Sequence, residues 1–163
     1  MSRLDSFLRR LTAQRDCLNL AVQLVGALPG PAFEFGLGNG RTYDHLREIC
    51  SDREIFVFER RVSAHPDCVP DPEHLFEGQL EARLAEVQAR FAGRVALVHS
   101  DLGSGHPVQD ATTAALISAA LPPFMAAGGV IVSDQELTLP LAESLPLPAQ
   151  VSPGRYYLYR WPG

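Results

Sequence analysis

The chain has 163 residues, 46% apolar composition and a formal charge of −5, which suits one α/β domain spanning residues 1–163 and leaves no room for a second. The acidic balance counts against nucleic acid or an anionic membrane as the main partner, because both draw basic patches. Cys17, Cys50 and Cys68 are odd in number and lack a C-x-x-C pair, so neither a disulfide framework nor a zinc site is implied.

Arg3, Asp5, Arg9 and Arg10 interrupt the opening residues where a signal peptide would need an apolar run, and a soluble cytoplasmic protein is expected. All fourteen basic residues are arginine, so no lysine is present to act as a base.

Residues 2–28 carry apolar side chains at helical spacing, with Ser2 and Asp5 placed for a capping box and Pro29-Gly30-Pro31 as a stop. This helix should pack on a sheet, with Gln14, Arg15 and Asn19 placed to reach a ligand. The segment 1–29 is therefore read as a lid.

Ala32–Phe35 reads as a buried strand and Arg41–Ile49 as a helix. Between them runs Glu34-Phe35-Gly36-Leu37-Gly38-Asn39-Gly40. Glycines between a strand and a helix allow positive φ and let a ligand lie against the main chain. A dinucleotide fingerprint, G-x-G-x-x-G, would place its third glycine at Arg41. An acid at Glu34 would also repel a pyrophosphate, whereas it suits a ligand bearing an ammonium group.

Glu54–Phe58 is a continuous apolar strand, typical of a sheet covered on both faces. It ends at Glu59, about 20 residues past the glycine loop, where a carboxylate can accept hydrogen bonds from ribose hydroxyls. Prolines 66, 70 and 72 oppose a long helix after Arg60. Residues 74–77 read as a short third strand, with an all-helical 74–91 as the alternative that Gly78 disfavours. A helix follows from about Glu81 to Phe91.

Arg94–His99 is the fourth strand, and Asp110–Met125 is helical with a break at Pro122-Pro123. Val130–Ser133 is the fifth strand. Arg155–Trp161 is a final strand whose antiparallel partner falls near Ala142–Leu147. Tyr156, Tyr157, Tyr159 and Trp161 are expected to form an exposed aromatic surface suited to a homodimer or homo-oligomer.

The E-x-G-x-G-x-G pattern between strand and helix resembles the first motif of class I S-adenosylmethionine (SAM) methyltransferases, and the resemblance covers residues 30–134 best. It implies a Rossmann-like fold: a doubly wound, mostly parallel, reduced seven-stranded sheet with helices on both faces, in which 30–134 form the cofactor-binding core and 135–163 the C-terminal strands. The cofactor implied is S-adenosyl-L-methionine. The loop Gly36, Leu37, Gly38, Asn39 and Gly40, with Thr42, would pass its methionine part, and Glu34 would lie near the α-ammonium.

By the same resemblance Glu59 and Arg60 would meet the ribose, and Gly78, Gln79 and Leu80 the adenine. A Gln79 carbonyl would accept the hydrogen bond that an Asp commonly accepts there. Asp101 and Leu102 would face the reacting end, with Asp101 and His106 as general-base candidates.

The expected function is methyl transfer to a small-molecule acceptor, with no nucleic acid or membrane partner. Two other readings are a non-catalytic module that binds SAM or S-adenosylhomocysteine, and a nicotinamide-dependent oxidoreductase. Asp101 with Asp134-Gln135 resembles the magnesium site of catechol-type O-methyltransferases, but that group pairs it with a lysine, and no metal ligand is assigned. Leu121-Pro122-Pro123-Phe124 only superficially matches the (Asp/Asn)-Pro-Pro-(Tyr/Phe) motif of amino-group methyltransferases: a leucine cannot accept a hydrogen bond from an amine.

Overall fold

A computed structural model describes residues 2–163. The helices are α1 (Arg3–Val25), α2 (Arg41–Ile49), α3 (Leu80–Phe91) and α4 (Pro107–Ala120), with short 3-10 turns at Pro66–Cys68 and Pro122–Phe124. The strands are β1 (Ala32–Phe35), β2 (Ile55–Glu59), β3 (Leu75–Glu77), β4 (Val95–Ser100), β5 (Met125–Ser133), β6 (Glu143–Leu145) and β7 (Tyr157–Arg160).

Seven strands form one sheet in the order β3-β2-β1-β4-β5-β7-β6. β1 pairs in parallel with both β2 and β4, β2 with β3, and β4 with β5, while β7 runs antiparallel to β5 and β6. The order reverses between β1 and β4, and in such a sheet ligands bind beyond the carboxyl ends of the strands at that reversal. This is the doubly wound, mostly parallel architecture expected.

Side-chain alternation divides β1 between the two layers. Phe33 and Phe35 enter the core with Phe56, Phe58, Phe91 and Phe124, to which α3 contributes Leu84 and Val87 and α4 contributes Ala114 and Ile117. Ala32 faces the other way, into the core formed with α1 and α2.

α1 carries the expected capping box, in which Asp5 N–H donates to Ser2 Oγ and Ser2 N–H to an Asp5 carboxyl oxygen. Its second half is docked through Cys17, Leu18 and Ala21, all fully buried. Its first half projects past the core, leaving Leu4, Phe7 and Leu8 exposed. Among the described residues no helix is long and apolar enough to cross a membrane.

Residues 75–77 form the short third strand expected, paired with β2, and the all-helical alternative fails; Gly78, at φ +141°, follows the strand. Two differences from the sequence reading have local causes. α4 begins at Pro107 instead of Asp110, since a proline fits the first helical turn, where its missing N–H costs nothing. β5 begins at Met125, ahead of Val130, and absorbs the extra length through an irregularity opposite Val95 and Leu97.

The exposed aromatic surface expected at the C-terminus is corrected. β7 lies inside the sheet with β6 outside it, and Tyr156 and Tyr159 are buried in the two cores.

Candidate active site

The carboxyl ends of β1, β2 and β4 converge on the glycine loop. Gly36 has φ +89°, and a Cβ there would stand 2.7 Å from Leu102 Cδ2, so only glycine fits between β1 and the segment after β4. Gly40 has φ +82° and heads α2 without a side-chain cap; a Cβ there would collide with Cys68. It therefore backs onto the 3-10 turn and does not line the crevice.

Glu59, at the tip of β2, holds the loop. One carboxyl oxygen accepts from the N–H groups of Leu37 (2.8 Å) and Gly38 (3.1 Å), and the other from Arg61 N–H (3.0 Å). A carboxylate offers about four acceptor positions, so one stays open.

Two hollows lie at this end of the sheet, one lined by Glu59 and the other by the loop itself. The larger, of 310 Å³, is lined by Glu59, Arg60, Gly78, Gln79 and Leu80 on one side and by Leu102, Ser104 and Leu116 on the other. Its lining mixes apolar side chains (Phe58, Leu80, Leu102, Leu116) with polar ones (Glu59, Arg60, Gln79, Glu81), and a concave site with polar groups among apolar walls suits a small polar molecule. Gln79 is the N-cap residue of α3, yet its side chain caps nothing. The smaller hollow, of 140 Å³, is lined by Gly36, Leu37, Gly38, Asn39, Thr42 and Asp101, with Arg10, Leu11, Gln14 and Arg41 opposite. Gln14 Nε2 donates to Asp101 Oδ2 at 2.6 Å, tying α1 to the end of β4.

Glu34 is placed differently from the expectation. It is fully buried beneath the loop, one oxygen accepting from Thr42 Oγ1 and the other 2.7 Å from His99 Nδ1. The β1–β4 register puts Glu34 and His99 side by side, so this pair follows from strand pairing. Burial alone would favour neutral His99, but the charge and hydrogen bond of Glu34, helped by Asp101 and Asp134, outweigh it and raise the imidazole pKa. The carboxylate lining the smaller hollow is that of Asp101.

His106 is also set apart. It is exposed at the head of α4 and lines neither hollow.

Sequence reasoning passed over His99, which reads as an ordinary strand residue. It gave Tyr156 no site role and met Asp134 only as a metal-ligand candidate. Tyr156 is buried with its ring 6.2 Å from that of His99 and nearly parallel to it. Asp134 ends β5, where one oxygen accepts from Gly103 N–H at 2.9 Å and the other is buried without a partner. Burial and the neighbouring Asp101 charge push the Asp134 pKa up to about 6. Among the described residues no group of three or more His, Cys, Asp or Glu side chains is arranged to hold a metal ion.

A parallel sheet that reverses its strand order at β1 and β4, with a glycine loop held by a carboxylate at that point, defines a Rossmann-like protein. Comparison gives the family: residues 1–161 match the model for S-adenosyl-L-methionine methyltransferases, and the chain belongs to that family. It is similar to the crystal structure of an S-adenosyl-L-methionine methyl transferase from Silicibacter pomeroyi DSS-3, with 42% identity, TM-score 0.93 and 98% of each chain covered.

A protein-(glutamine-N5) methyltransferase (release factor-specific) from Alicyclobacillus acidocaldarius shares the fold at 10% identity and TM-score 0.53, with 95% of this chain and 93% of that one covered. No curated protein matches the sequence.

Proposed function

We propose that the chain transfers a methyl group from SAM to a small-molecule acceptor. The observation that carries this reading is Glu59, which lines the larger hollow and accepts from the N–H groups of Leu37 and Gly38, residues that line the smaller one. Glu59 would hold the ribose through its open acceptor position, Leu80, Leu102 and Gln79 would hold the adenine, and the lining of the smaller hollow would hold the methionine end.

The sulfonium supplies an electrophilic methyl, so the chain's task is to align the acceptor and exclude water. Asp134, with a pKa of about 6, is suited to take a proton from an acceptor hydroxyl or amine near neutrality. Asp101 stays with the cofactor end.

One observation favours a module that binds without turnover. The segment after β4 closes over Asp134 through Gly103, and Asp134 lines neither hollow.

Release of S-adenosylhomocysteine from SAM across a panel of phenols, amines, thiols and carboxylic acids tests the proposal. Turnover with one acceptor class, lost in Asp134→Asn, is the expected result. SAM binding with no turnover across the panel would establish the second reading instead.

A further inference from the structure

Phe7 is out of place among the aromatic residues. Seven of the chain's eight phenylalanines belong to the sheet core or pack against it, whereas Phe7 is 42% exposed on the projecting half of α1. Two guanidinium groups lie over its ring, Arg10 at 5.9 Å and Arg41 at 5.8 Å from the centroid. They come from different elements, α1 and the first residue of α2. Neither has a hydrogen bond or a carboxylate partner among the described residues, unlike Arg15, Arg47 and Arg83, which are paired with acids. Both line the smaller hollow.

Helical geometry explains the convergence. Phe7, Arg10 and Gln14 are three and four residues apart, so they share the face of α1 that looks onto the glycine loop. Gln14 is fixed there by Asp101. The hollow thus has one anionic wall, Asp101, and one cationic wall, the arginine pair. Glu34 is no part of the anionic wall, because it is fully buried beneath the loop and does not line the hollow.

We propose that Arg10 and Arg41, braced on Phe7, bind a ligand carboxylate in this hollow, and that it is the carboxylate of the cofactor's amino-acid end, with Asp101 facing the ammonium. Planar guanidinium forks match a carboxylate, and stacking on an aromatic ring fixes their position. The projecting half of α1 is then part of the cofactor site. This inference rests on the cofactor reading above and extends it to residues outside the glycine loop.

The test compares two thioether ligands by titration calorimetry without any acceptor present. S-adenosylhomocysteine carries the amino-acid end, and 5′-methylthioadenosine lacks it. Arg10→Ala and Arg41→Ala should each weaken S-adenosylhomocysteine binding about tenfold and leave 5′-methylthioadenosine within about twofold. Phe7→Leu should show the same split in a smaller degree, and retained 5′-methylthioadenosine binding certifies folding.

Equal losses for both ligands, or none for either, would overturn the proposal. If the wild type binds neither nucleoside, the cofactor reading itself falls, and the clamp with it.

Discussion

The two faces of the sheet follow opposite rules. On the side of α3 and α4, Phe33 touches the rings of Phe35, Phe56, Phe58, Phe91 and Phe124 at centroid distances of 4.9–6.4 Å, and no carboxylate or imidazole belongs to that core. On the side of α1 and α2, the strands that carry Ala32, Leu97 and Val132 also carry Glu34 and His99, both fully buried.

The first face gains stability from close-packed apolar surface. The second spends some of that gain on buried charge, at the end of the sheet where the glycine loop and Asp101 lie. The contrast separates what holds the domain together from what equips its site.

The largest effect should come from breaking the aromatic face. Phe33→Ala removes the hub of the ring cluster and should cost about 4 kcal/mol in urea unfolding, because a core emptied of an aromatic ring only partly collapses. A loss below about 1 kcal/mol would mean that the rings are replaceable filler.

Next is the buried pair. Glu34→Leu leaves His99 without its counter-charge and should cost about 3 kcal/mol, whereas adding His99→Leu should restore much of that, because two apolar side chains can replace a buried ion pair. Additive losses in the double variant would show that the two residues act independently.

The third prediction concerns pH. Asp134 has a folded pKa of about 6 against an ordinary value of 3.8, so the folded chain holds that proton more tightly than the unfolded chain. Its contribution is favourable below about 4 and is lost as pH rises to about 6. Asp134→Asn should therefore gain on the wild type by about 2 kcal/mol between pH 4 and pH 7, read from urea midpoints at both values. A difference that does not change with pH would contradict the raised pKa.

His99 adds in the same direction. Its raised pKa gives stability that is present below its ordinary value of 6.5 and lost as pH rises through the folded value. The smallest effect belongs to His106→Ala, which should leave methyl transfer within about twofold, because the side chain is exposed at the head of α4 and caps nothing.

The contrast between the faces also explains what was legible beforehand. Strand and helix positions follow from local pattern: a short run of mostly apolar residues, three glycines and a capping box each act over a few residues. Glu59 was legible too, because its place depends only on its distance from the loop and on the end of its own strand.

Glu34 was not. Its neighbour His99 lies 65 residues away and reaches it through the β1–β4 register, which no local pattern reveals. Parity along β1 contained a signal, since Glu34 shares the face of Ala32 and must therefore sit under α1 and α2. The arginine pair was hidden for a similar reason: Arg10 and Arg41 meet only because α1 crosses above the start of α2.

The account stands on Glu59 holding the cofactor's sugar beside the glycine loop. Its most direct test is titration calorimetry of S-adenosylhomocysteine against the wild type and Glu59→Gln. Binding of one nucleoside per chain, weakened about tenfold or more in the variant, is the predicted result. Equal affinity in the two proteins, or no binding to the wild type, would contradict it.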